Sequence, residues 1–166
     1  MLGIFKSRAR KTREAALGLL ARSEKNLRLG IFAQLRKIYS AGRSQQDCNL
    51  LCAAIVNEIA GDRPTNKDCE HFSPKNRDEI EKSALELQHD ELFANAASYL
   101  YAAMTIRLSI ETAPPVSPEP AEVLEIANRL GFYIPYTFDI CGSNNAEDCI
   151  LAIDKYACEF ARSAVG

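Results

Sequence analysis

Cys48 and Cys52 stand one helical turn apart, and Cys69 and His71 follow in the next connection. Four thiol and imidazole donors of this kind suit a tetrahedral zinc ion. The spacing argues the other way. A three-residue gap inside a helix is less typical than a CxxC knuckle, and one residue between Cys69 and His71 is unusual. Free cysteine is also a small core residue. Cys48 and Cys52 fall on the apolar stripe that continues through Leu51, Ile55 and Ile59. The balance therefore lies with packed thiols and no cofactor, with zinc as the minor alternative.

Glu86 and His89 form an ExxH pair like those of di-iron helical bundles, which need a second such pair and further glutamates. This chain has two histidines, and no second pair can be built. His89 reads instead as a partly buried imidazole beside Glu86 or a carboxylate of a neighbouring helix. Cys141 and Cys149 bracket a short polar loop and could pair under oxidising conditions. There is no P-loop, dinucleotide fingerprint or nucleophile elbow, and no triad is legible. The chain reads as non-enzymatic. The alternative is a small-molecule- or metal-binding bundle, catalytic in its extreme form. Its pocket would use His89, Tyr99, Tyr133 and Tyr136 near the aromatic loop 132–140.

The charge distribution is the most unusual feature. Residues 1–43 carry 11 of the 20 lysines and arginines against Glu14 and Glu24, a net of +9; the remainder carries −11, giving −2 for the chain. Lys6, Arg8, Arg10, Lys11 and Arg13 follow an apolar tip of Leu2, Ile4 and Phe5. This composition fits a surface-seeking helix on an anionic membrane, a nucleic-acid contact or a protein partner. The competing reading is internal: a basic face lying against acidic helices. No secretory signal is read, because the apolar run near residue 18 is short and no cleavage site follows. The expected setting is cytoplasmic and reducing, at most peripheral to a membrane.

The elements that must position these residues are helical throughout. The 166 residues are 47% apolar and nearly lack alternating β-patterns. They read as a single all-α domain, an irregular bundle of five or six helices around one long central helix at about 74–113. Ser73-Pro74 opens that helix and Pro114-Pro115 stops it. Leu85, Leu92, Tyr99 and Ile106 recur at seven along it, as do His89, Ala96, Ala103 and Ile110. Its uncharged half, Leu92 to Ile106, is shorter than the roughly 18 residues a membrane span needs. Residues 1–43 form a basic helical region. Within it 8–41 are one helix or two, with Ser23 to Asn26 as the possible turn. Gly18 and Gly30 mark close packing or bends, and Gly42 is the stop. Ser44 caps a helix to about Ala60. Residues 114–120 form a proline-rich turn inside the domain, a helix follows to Leu130, and a last helix runs to about Ser163, with Ile150, Ile153, Ala157, Phe160 and Ala161 inward.

The sequence thus supports a helical binding protein that uses its basic N-terminal region to contact an anionic or protein partner.

Overall fold

The computed structural model describes residues 2–60, 74–112, 142 and 146–166. Five helices order these residues: α1 (Leu2–Tyr39), α2 (Gln45–Ile59), α3 (Pro74–Leu87), α4 (Glu91–Thr112) and α5 (Ala146–Val165). No strand is present among the described residues. The chain is an all-α bundle.

The longest helix is α1. Its 38 residues rise about 57 Å at 1.5 Å each. It does not break at Ser23. That residue is fully buried, and its hydroxyl donates to the Leu19 carbonyl at 2.8 Å, so a buried polar group is satisfied without leaving the helix. Leu20, Leu27, Ile31 and Leu35 carry one buried stripe along α1. Against that stripe pack α2, α4 and α5. The bundle is organised around α1.

Residues 74–112 form two helices, which corrects the expectation of one continuous helix over about 74–113. The backbone of α3 closes with tightened bonds from Gln88, His89 and Asp90 to the carbonyls of Leu85, Glu86 and Leu87. The Asp90 carboxylate then accepts from the amides of Leu92 at 3.0 Å and Phe93 at 3.3 Å, capping α4. An aspartate side chain offers the backbone an alternative to the helical ladder, and here that alternative wins. The repeat of seven was misleading across this corner. Leu85 and Leu92 are exposed, while Ile80, Ala84 and Leu87 carry the inner face of α3.

Other ends follow their local signals. Ser44 caps α2 by accepting from the Asp47 amide at 3.1 Å, and its hydroxyl donates to the Asp47 carboxylate at 2.7 Å. Gly42 takes a φ of 72° in the turn that lets α2 fold back on α1, a conformation glycine adopts without strain. The Tyr101 hydroxyl donates to the Ile59 carbonyl, tying the end of α2 to α4.

Two clusters form the interior. The larger joins Leu27, Ile31 and Leu35 to Cys52, Ile55, Phe93, Leu100 and Phe160. The smaller joins Leu20 to Ala103, Ile106, Ile110 and Ile153. α1 and α5 run parallel, since Arg22 meets Asp154 and Asn26 meets Cys158 in the same order. α4 runs opposite, with Arg13 at Glu111 near its C-terminal end. All five inward residues expected of the last helix are buried. Gly30 lies where α1 and α5 come closest. A Cβ there would stand 2.5 Å from two ring carbons of Phe160.

Candidate interaction surface

Of the five basic residues read as an anionic contact, Arg10 and Lys11 are exposed on α1. Arg10 pairs with Glu14 on the same helix at 2.9 Å, with both side chains well in solvent. Such a pair contributes little to stability, about 0.3–0.5 kcal/mol. Lys11 has no ion-pair partner among the described residues. Arg13 is different: it is half-buried, and its guanidinium donates to the Glu111 carbonyl at 3.1 Å. A cation at the last turn of α4 satisfies an orphan carbonyl and opposes the helix dipole, so Arg13 holds the bundle end together. Its Nε is buried without a partner among the described residues. Lys6 and Arg8 belong to the same helix.

Because α1 is unbroken, its register carries outward from the core. Ala16, Leu20 and Leu27 share one phase, at spacings of four and seven. Lys11 stands on the opposite, outward row, which continues through exposed Arg22, Lys25 and Leu29.

Further along, basic side chains meet acids of other helices. Arg22 forms a two-pronged pair with Asp154 at 3.0 and 2.7 Å, which holds its guanidinium above its ordinary pKa through that hydrogen bond and charge. Arg43 reaches Glu79 of α3 at 3.0 Å. Glu24 receives Arg107 of α4 at 2.8 Å, a pair largely withdrawn from solvent, and this raises the arginine's pKa. The internal reading of the basic region therefore applies to Arg22 and, just past the end of α1, to Arg43, whereas Lys25, Arg36 and Lys37 have no ion-pair partner among the described residues.

The thiol cluster is present in half. Cys48 and Cys52 are buried with their sulfurs 3.9 Å apart. Burial pushes the Cys52 thiol up to about 12, with the hydrogen bond to Cys48 adding to it. A protonated thiol is a poor metal ligand. Cys69 and His71 lie outside the described residues, as does Cys141. Cys149 is buried in the smaller cluster. Among the described residues, no group of three or more histidine, cysteine or carboxylate side chains is placed to hold a metal.

The aromatic pocket is not assembled by its described members. His89 is exposed in the α3–α4 corner, where its amide donates to the Glu86 carbonyl, so it is not the partly buried imidazole expected. Roughly 14 Å of helix rise separates Asp90 from Tyr99. Tyr99 lies flat on Tyr156, with ring centroids 3.9 Å apart, and Phe160 extends the stack. Burial, then the nearby Tyr99, raises the Tyr156 hydroxyl. Tyr133 and Tyr136, with the aromatic loop and the 114–120 turn, lie outside the described residues.

Sequence reasoning did not find two surface features: an open groove between α1 and α2, and an acidic ridge on α3. Exposed Leu29 and Leu85 mark them, but an exposed leucine cannot be told from a core leucine before the helices are packed. No helix among the described residues is long and apolar enough to cross a membrane. Compared with known proteins, the chain matches no family model, no curated protein and no solved structure.

Proposed function

We propose that this protein is a non-enzymatic helical interaction protein that contacts an anionic surface through the N-terminal part of α1. The supporting observation is the uneven use of its basic residues. Arg22 and Arg43 are neutralised by other elements, whereas among the described residues Arg10 meets only its own helix and Lys11, like Lys25, Arg36 and Lys37, meets no acid; Arg10 and Lys11 are the ones that adjoin Lys6, Arg8 and the apolar residues at the start of the sequence. Charge left uncompensated in this way is available to an outside partner. Each basic residue near an anionic bilayer contributes about 1 kcal/mol. A bundle with no spanning helix among its described residues would then sit peripherally on such a surface.

The test is co-sedimentation with anionic and neutral vesicles, and in parallel a titration with duplex DNA and RNA, at low and moderate salt. Anionic vesicles should be bound, neutral ones should not, and salt should weaken binding as the Debye length shortens. Phe5 belongs to the apolar tip of the sequence next to these basic residues, so Phe5→Ser should weaken vesicle binding and leave nucleic-acid binding nearly unchanged. If the intact protein binds none of these at low salt, the anionic-surface reading is lost and a protein partner takes its place.

A further inference from the structure

Between α1 and α2 runs an open groove of about 530 Å3. Leu29 and Phe32 of α1 and Ala53 and Val56 of α2 form its apolar lining, and Lys25 and Arg28 stand along the α1 edge. Leu29 remains 48% exposed. The one acid on that edge, Glu24, is already matched by Arg107 at 2.8 Å, so it does not offset Lys25. Lys25 has no ion-pair partner among the described residues. Such a groove fits an amphipathic helix with an apolar ridge and acidic flanks.

The chain itself carries a helix of that description. Asp78, Glu81, Lys82, Leu85, Glu86 and His89 line one side of α3 and its end, at spacings of three and four. Leu85 is 61% exposed in their midst. Lys82 is matched by Glu86 at 3.9 Å, while Asp78 and Glu81 have no ion-pair partner among the described residues. Within its own chain α3 packs on α2 and buries Ile80, Ala84 and Leu87, which turns the acidic ridge outward. Groove and ridge are thus different surfaces of one molecule, complementary in charge and in apolar character.

We infer that the occupant of the α1–α2 groove is the α3 ridge of a second copy of this chain, with Leu85 entering beside Leu29 and with Asp78 and Glu81 facing Lys25. Two copies related by a two-fold fill each other's groove and close as a dimer; any other relation leaves one groove and one ridge open, and association then continues into chains or larger rings. It is independent of the N-terminal contact proposed above.

Sedimentation velocity of the full chain from about 1 μM to about 1 mM, at low and moderate salt, tests this. The weight-average mass should rise with concentration above that of the monomer, and less so at the higher salt. Leu85→Asp and Leu29→Asp should each weaken association by about tenfold or more, because both remove the apolar contact at the centre of the interface. Lys25→Glu should weaken it too, and Lys25→Glu combined with Glu81→Lys should restore it with the charges exchanged. All four positions are exposed, and unchanged thermal midpoints would show that the variants fold. A protein that stays monomeric, or association indifferent to Leu85→Asp, would overturn the inference. So would a monomeric protein that takes a synthetic helix with leucines at i, i+3 and i+7 and flanking glutamates, since the groove would then serve a foreign helix.

Discussion

Cys52 shows how a residue's chemistry is decided by where its helix lies. Its side chain is fully buried beside Cys48, and the fold favours the neutral thiol, raising the group from 9.0 to about 12. In the unfolded chain the same thiol ionises near its ordinary value. Between pH 9.0 and about 12 the unfolded state therefore binds fewer protons, so stability is complete below this window and falls as pH rises through it. Tyr101 and Tyr156, both raised by burial, act in the same direction. Urea unfolding at a series of alkaline pH values should show this decline, and Cys52→Ala should make it shallower. A decline of the same slope in that variant would place its cause elsewhere. Because the buried Cys52 thiol stays protonated at neutral pH, elemental analysis of the purified protein should find no stoichiometric zinc. One tightly held zinc, lost on Cys52→Ser, would reverse that reading.

At the scale of the element, two glycines on α1 make opposite predictions. A Cβ at Gly18 would meet nothing within 4 Å, so Gly18→Ala should stabilise by about 0.5–1 kcal/mol through helix propensity alone. A Cβ at Gly30 would collide at 2.5 Å with the Phe160 ring, which is buried and stacked near Tyr156. Overpacking costs about 1–3 kcal/mol, so Gly30→Ala should destabilise despite its better propensity. Urea midpoints of the two variants should move apart, and Phe160→Leu should partly rescue the second. The alanines of α4 divide in the same way. Ala103 is fully buried, and Ala103→Leu should cost about 1–3 kcal/mol. Ala97 borders a cleft of about 260 Å3 between α2, α3 and α4, so Ala97→Leu should be close to neutral. Equal losses at both positions would show that the cleft closes in solution.

Across the whole molecule, ion pairs serve as docking contacts. Arg43 with Glu79 joins the α1–α2 turn to α3, and Arg22 with Asp154 and Arg107 with Glu24 join different helices, the last with its acid from the basic half. The last pair is the least exposed, at 26% and 14%, so Arg107→Ala should be the most damaging single loss, about 1–3 kcal/mol, because it leaves Glu24 without its cation. The exposed part of Arg22 makes its pair more sensitive to screening. Moderate salt should therefore lower the thermal midpoint of the wild type more than that of Asp154→Asn. An equal shift in both would remove Arg22 and Asp154 from the salt response.

Helical class, the cap at Ser44, the stop at Gly42 and the inner face of the last helix were legible in the residues, because each depends on chemistry within one or two turns. Ser44 and Asp47 satisfy one another wherever that helix lies. Ile150, Ile153 and Phe160 keep their period in any bundle. The corner at Asp90 was written there too, as a capping residue before a helical run, but a seven-residue repeat passed across it and masked the signal. Which basic residues face acids, and which remain open, could not be read. Arg13 and Lys11 have similar sequence surroundings, yet one ends on the Glu111 carbonyl, 98 positions away, and the other stays exposed. Partners at that separation meet only once α1 and α4 pack, so only the tertiary structure decides them.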